Sequence, residues 1–179
     1  MIAAHALLRE ATIQKHEQVD AAFARFDLSD RRSYMSFLSA HARTLGAIEL
    51  ALATAPAGFP RFRTRLGCLA SDLAALGATW PEAMGLSDHF SAAALFGMLY
   101  VAEGSRLGGG VLAARVSRPM PTSYLGAVHL KGEWRDLLFA IDAAALDQQQ
   151  IWHDEMIDGA SRTFDLYMQS AAKEGLAVA

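Results

Sequence analysis

The sequence predicts an all-α, single-domain helical bundle. Three observations predict it. Proline and glycine fall in few places, the stretches between them are long, Ala/Leu-rich and helically periodic, and no segment sustains the period-two alternation of a half-buried strand. With 179 residues the chain has the length of one domain around one core, spanning 1–179. Its apolar fraction of 53% against 20% charged residues fits a packed globular protein and excludes a disordered one.

The elements follow in order. Apolar residues at three- and four-residue steps predict a first helix over about 3–25, closed by Phe26-Asp-Leu-Ser29. Asp30 or Ser29 then caps a second helix of about 31–54, which Pro56-Ala-Gly-Phe-Pro60 stops. A third is expected over about 60–76, ending at Gly77, followed by a loop from Ala78 to Asp88 that contains Trp80-Pro81 and Gly85. Helix four should start near Ser91 and run to about Arg115, before Pro119 and Pro121 break the chain. Two more helices, about 131–146 and 149–173, complete the bundle.

Several function classes are excluded by composition. A net charge of -3 with no block of like charges gives no electrostatic case for nucleic acid or an anionic membrane. The apolar run Ala92 to Ala102 is too short to span a membrane and is followed by Glu103 and Arg106. Cys68 is the one cysteine and cannot form an internal disulfide. Arg9 and Glu10 interrupt the N-terminus before any apolar region of a signal peptide, so the expected location is the cytoplasm. There is no His-x-x-x-His or Glu-x-x-His pair for a di-metal bundle, no phosphate-binding loop after a strand and no nucleophile elbow.

Helix four carries the feature that needs explaining. Gly104, Gly108, Gly109 and Gly110 lie within seven residues. Inside a helix each costs about 1 kcal/mol against alanine, and the set about 3–4 kcal/mol. Gly104 and Gly108 are four apart, about 40° from each other around a helix. They would form a strip free of side chains on which a broad planar ligand could lie. The same glycines also fit close helix packing or an ordinary kink, and their number alone does not choose between these readings.

Two of the six histidines sit on apolar faces. His41 falls on the stripe Tyr34, Phe37, Leu38, Leu45, Ile48 and Leu52, where a satisfied core histidine is the ordinary reading. His16 falls on the stripe Leu8, Thr12, Val19, Phe23 and Phe26, and it has more around it. Asp20, at i+4, is placed to accept the outer ring proton of a metal-bound imidazole. Arg9 lies seven residues back, about 20° off the same face and about 10 Å along the axis.

The run Leu8-Arg-Glu-Ala-Thr-Ile-Gln-Lys-His16-Glu-Gln-Val-Asp20 resembles the proximal helix of heme oxygenases, where Glu-Ala-Thr precedes the axial histidine. The run Leu99-Tyr-Val-Ala-Glu-Gly-Ser-Arg-Leu-Gly-Gly109 is similar to the distal helix of the bacterial branch, especially the bacteriophytochrome-associated enzymes. Their order and separation resemble that family over nearly the whole chain. The resemblance implies haem as both substrate and cofactor, sandwiched between proximal helix one and a kinked, glycine-rich distal helix four. His16 would bind iron, Asp20 would orient it, and Arg9 would reach a propionate. Gly104, Gly108 and Gly109 would bring backbone close to the haem, with Arg115 a second propionate partner. Gly104, Ser105 and Gly108 would be the catalytic positions. Molecular oxygen and an electron donor (ferredoxin, reductase or an ascorbate-like reductant) would be needed, the products would be biliverdin, carbon monoxide and ferrous iron, and a bacteriophytochrome could accept the bilin.

Two departures bear on this. Mammalian members carry an aspartate after the first distal glycine, where this sequence has Ser105, as in the bacterial branch. A propionate-contacting arginine in their C-terminal half is replaced by Phe139. The alternatives are a non-catalytic haem carrier or sensor on the same fold and, in a different class, a helical scaffold or thiamin-salvage-type relative that binds no haem.

Overall fold

A computed structural model describes residues 3–86 and 89–175; the last two residues of the predicted 78–88 loop lie outside them. The described residues form eight helical segments and no strand: α1 (Ala4–Phe23), α2 (Arg31–Leu52), α3 (Leu66–Ala75), α4 (Ala92–Gly104), α5 (Gly109–Ala113), α6 (Ser123–Gly126), α7 (Glu133–Ala145) and α8 (Gln150–Gly175). They share one core, and none is long and apolar enough to cross a membrane.

The centre is the α4–α8 pair. Helix α4 is buried on nearly every side, from Ala93 to Leu99 and from Val101 to Glu103, which is why its sequence is apolar all round. It starts where Ser91 caps it, the serine hydroxyl accepting the Ala94 N–H at 3.2 Å. The crossing is set by two glycines. A methyl group on Gly97 would collide with the Met156 carbonyl and come within 2.7 Å of the Ala160 nitrogen, and one on Gly159 would collide with the backbone of Ala94. The two helices therefore pack backbone against backbone. Helix α2 lies beside them through its stripe of Tyr34, Phe37, Leu38, Leu45 and Ile48, and Asp30 caps it by accepting the Ser33 N–H at 2.8 Å.

The predicted helices are present, with two shortened or divided. Helix three begins at Leu66 rather than near residue 60, because the backbone before it is bonded to other segments. The Arg65 N–H goes to Glu49 at 3.1 Å, the Thr64 hydroxyl goes to the same carboxylate, and the Arg63 carbonyl accepts from Arg106. Helix four is more than kinked. It ends at Gly104 and restarts at Gly109, with three-residue bonds through the break: Arg106 N–H to Glu103 O at 3.0 Å, Leu107 to Gly104 at 3.0 Å and Gly109 to Arg106 at 3.1 Å. The short α6 had no periodic signal. It is held by buried Asp72, which accepts the N–H groups of Ser123 at 3.1 Å and Tyr124 at 2.8 Å.

Candidate functional site

The α4–α5 break opens a slot. Its walls are α1 on one side, α4, the turn and α5 on the other, with α7 and α8 closing the back. The slot has a volume of about 530 Å³ and continues past His16, Tyr100, Leu107, Trp134 and Phe164 into a second compartment of about 590 Å³. Both are of the size and mostly apolar lining that small-molecule sites have.

His16 lines this space from α1, but at its rim: the apolar stripe on which it falls predicts a buried ring, whereas its side chain is 63% exposed and that of Asp20 68%. Its Nδ1 lies 3.2 Å from an Asp20 carboxylate oxygen, and its ring meets Phe164 edge-on at 6.0 Å. The carboxylate is thus near the outer ring nitrogen, on the side away from Nε2. Gly104 and Gly108 both line the slot, but across the end of α4 and the turn instead of along one continuous helix face as the four-residue spacing predicts. A methyl on Gly108 would meet nothing within 4 Å, and one on Gly104 would come 3.6 Å from the Trp134 ring. So these glycines are not required by protein packing on that side. They border vacant volume.

Arg9 lines the outer compartment beside Tyr100. Gly109 and Arg115 are placed differently from expectation. Gly109 is buried on the far side of α5, where a methyl group would collide with the Leu125 carbonyl, so its glycine requirement is packing. Arg115 is expected at the end of a helix four that runs unbroken past Gly108, but α5 ends at Ala113. It is exposed, off the slot wall, and close enough to Asp27 to help hold that carboxyl low, after the larger effects of hydrogen bonds from Ser29. Phe139 is exposed on α7 and does not line the slot.

Ser105 reaches the slot, yet its hydroxyl is already engaged. It donates to the Ala102 carbonyl at 2.7 Å and accepts from the Arg65 guanidinium at 2.6 Å. The same Arg65 nitrogen donates to the Ala102 carbonyl at 2.7 Å, and the guanidinium lies over the Tyr124 ring at 5.0 Å. Arg106, next in sequence, is buried and ties the break to three segments. It donates to Glu103 at 2.8 Å, to the Ala127 carbonyl at 2.8 Å and to the Arg63 carbonyl. The turn that widens the slot is thus held by two buried arginines. Sequence reasoning missed them, because Arg65 falls inside the helix expected over about 60–76 and Arg106 inside helix four, where each looks like one charge on a helix.

His41 was read as core and is also slot wall. Its ring is boxed by Phe23 at 4.6 Å and Phe37 at 4.3 Å. Burial pushes its pKa down to about 3, so it is neutral at ordinary pH. The Phe37 carbonyl lies 2.9 Å from Nδ1 and must accept from it, which leaves Nε2 as an acceptor. Tyr167, on the same wall, has a buried hydroxyl close to the Ser105 side chain. Tyr100, Trp134 and Phe164 complete the aromatic lining. They lie on three different helices, so no spacing in the sequence marks them as a group.

Comparison with solved structures gives this fold a precedent. The chain is similar to the heme oxygenase of Neisseria meningitidis, solved in NO- and CO-bound forms. The TM-score is 0.82 at 21% identity, covering 97% of this chain and 92% of that one. It is also similar to heme oxygenase-1 of the cyanobacterium Synechocystis, solved in complex with heme, at a TM-score of 0.70 and 16% identity over 96% and 92% of the two chains. No protein-family model and no curated protein sequence matches the chain. At these identities the likeness shows a shared fold.

Proposed function

We propose that this chain is a heme oxygenase, cleaving haem to biliverdin, carbon monoxide and ferrous iron with molecular oxygen and electrons from an external donor. One observation carries the reading. A histidine whose outer nitrogen meets a carboxylate stands across an aromatic slot from two glycines that border open space. A flat, apolar, metal-bearing macrocycle needs those three things together: an axial donor, aromatic walls and a close, side-chain-free facing backbone.

The residues present fit haem. His16 Nε2 would hold the iron, with Asp20 fixing the tautomer and ring plane. Arg9 would reach a propionate at the outer compartment. Gly104 and Gly108 would leave room for a ligand of the iron while keeping it close to backbone. When bound, haem supplies oxygen activation and is itself the molecule attacked. The protein supplies position. Trp134, Phe164, Tyr100 and Leu112 would lie against the apolar faces of the macrocycle. Ser105 has given its proton to Ala102, so its role is to hold the turn and anchor Arg65. His41 offers a fixed acceptor at the back wall, where it could order a water through Nε2.

The electron donor would be a ferredoxin, a reductase or an ascorbate-like reductant. The test is an absorbance titration with hemin followed by ascorbate under air. The reading predicts a saturable Soret band that decays into broad red bilin absorption. A Soret band that stays constant with a protein electron donor as well would make the chain a haem carrier, and no saturable band would overturn the reading.

A further inference from the structure

We propose that Asp142 is a positioning residue for the iron-ligand helix. Its carboxylate, carried on α7, caps the N-terminus of α1 from outside and fixes where Arg9 and His16 stand in the slot. The inference rests on the haem reading above.

The first N–H groups of a helix have no partner within it, and the N-cap side chain usually supplies one. In α1 the N-cap is Ala3, which has no side-chain acceptor. The missing acceptor comes from 137 residues away. One Asp142 oxygen accepts the His5 backbone N–H at 3.0 Å, and the other accepts from His5 Nδ1 at 2.7 Å. Two bonds to one residue, from backbone and side chain, resist rotation of the first turn as well as sliding. The negative charge also suits the positive end of the helix dipole. Asp142 has a rigid mount, because its neighbour Ile141 is fully buried.

Helix α1 needs such a hold. Of its 20 residues only Ala4, Leu8 and Thr12 are buried, since much of its inner face borders the slot instead of protein. A second side-chain tether runs from α1 to α8, Lys15 to Asp165, beside His16. His5, Arg9 and His16 all line the outer compartment, Arg9 one turn beyond His5. Turning the first turn of α1 therefore moves Arg9 directly and passes to His16 along the helix, against the hold of Lys15 and of the His16–Phe164 contact on α8. A standard N-cap pattern search misses this, because the cap is distant in sequence.

The experiment compares Asp142→Ala, Asp142→Asn and Ile141→Val with the wild-type protein in two assays. In the haem-free protein, hydrogen exchange of α1 amides between His5 and Thr12 should quicken in Asp142→Ala. In the hemin complex, haem transfer to excess apomyoglobin should quicken about fivefold in the same variant, the ratio that loss of an N-cap carries. Asp142→Asn keeps an oxygen for the His5 N–H and should restore most of both properties. Ile141→Val lowers stability on the same helix without touching His5, and should leave haem transfer near the wild-type rate. Faster exchange with unchanged haem transfer in Asp142→Ala would overturn the positioning role, as would equal effects of Ile141→Val and Asp142→Ala. A wild-type protein that binds no hemin would overturn the haem reading and this role with it, and the exchange assay would still show separately whether Asp142 caps α1.

Discussion

The α4–α8 crossing and the α4–α5 break both depend on glycine, for opposite reasons. At the crossing, Gly97 and Gly159 are glycine because backbone from the facing helix occupies the place of a side chain. At the break, Gly104 and Gly108 are glycine where the protein offers nothing, or only the far edge of Trp134, to fill the place. The first pair is explained by packing within the chain. The second is not required by packing within the chain, and the proposed haem site uses the space it leaves. Gly109, one residue on, belongs with the first pair, because the Leu125 carbonyl crowds it.

The largest expected effect breaks the crossing. Gly97→Ala or Gly159→Ala should destabilise the fold by about 3 kcal/mol, since the colliding atoms are backbone and cannot swing away. Thermal melts check this, and a melting temperature within a degree of wild type would contradict the crossing. At the break the same kind of change should spare the fold and cost the ligand. Gly108→Leu should melt near the wild-type temperature while weakening hemin binding about a hundredfold, roughly 2.7 kcal/mol.

His41 sharpens the contrast through pH. Its pKa is lowered to about 3 by burial, while in the unfolded chain it is near the ordinary 6.5. The unfolded state therefore binds the proton more readily, and stability falls as pH drops from about 6.5 towards 3, by up to about 1.4 kcal/mol per pH unit from this group. Denaturant melts of the wild type and His41→Leu across that range should diverge, the variant having the shallower acid slope. Equal slopes would mean that His41 is not held neutral. Smaller still, Ser105→Ala should cost about 1–2 kcal/mol by removing one partner of a buried arginine, measured by denaturant melts. The smallest change should go the other way. Gly108→Ala, at φ -84° and with open space around it, should stabilise the haem-free fold by about 0.5 kcal/mol.

Much of the fold is written in residues that act locally. Asp30 and Ser91 cap, Gly77 at φ 71° ends α3, and the stripe from Tyr34 to Leu52 faces the core, so their elements appear where periodicity places them. Segments set by distant partners do not follow local rules. The stretch before Leu66 is held by Glu49 and Arg106, and α6 by Asp72, and neither bond has a sequence neighbour to announce it. The site divides in the same way. His16 and Asp20 are one helical step apart, and they line one slot with Gly104 and Gly108, which stand at the two ends of the turn. Arg115 was assigned by extending a helix that the glycine turn ends, and the register beyond the turn no longer holds. Phe37, Trp134 and Tyr167 reach the same space from α2, α7 and α8, which only the folded chain assembles.

The central claim is that haem lies between His16 and the Gly104–Gly108 strip. Its most direct test is a hemin titration of wild type and His16→Ala side by side, read by absorbance and by electron paramagnetic resonance of the ferric complex. The account predicts a saturable one-to-one complex in the wild type and loss of the axial-nitrogen signature in His16→Ala, with a shifted Soret band. Identical spectra for the two proteins would place the iron on another residue and contradict it.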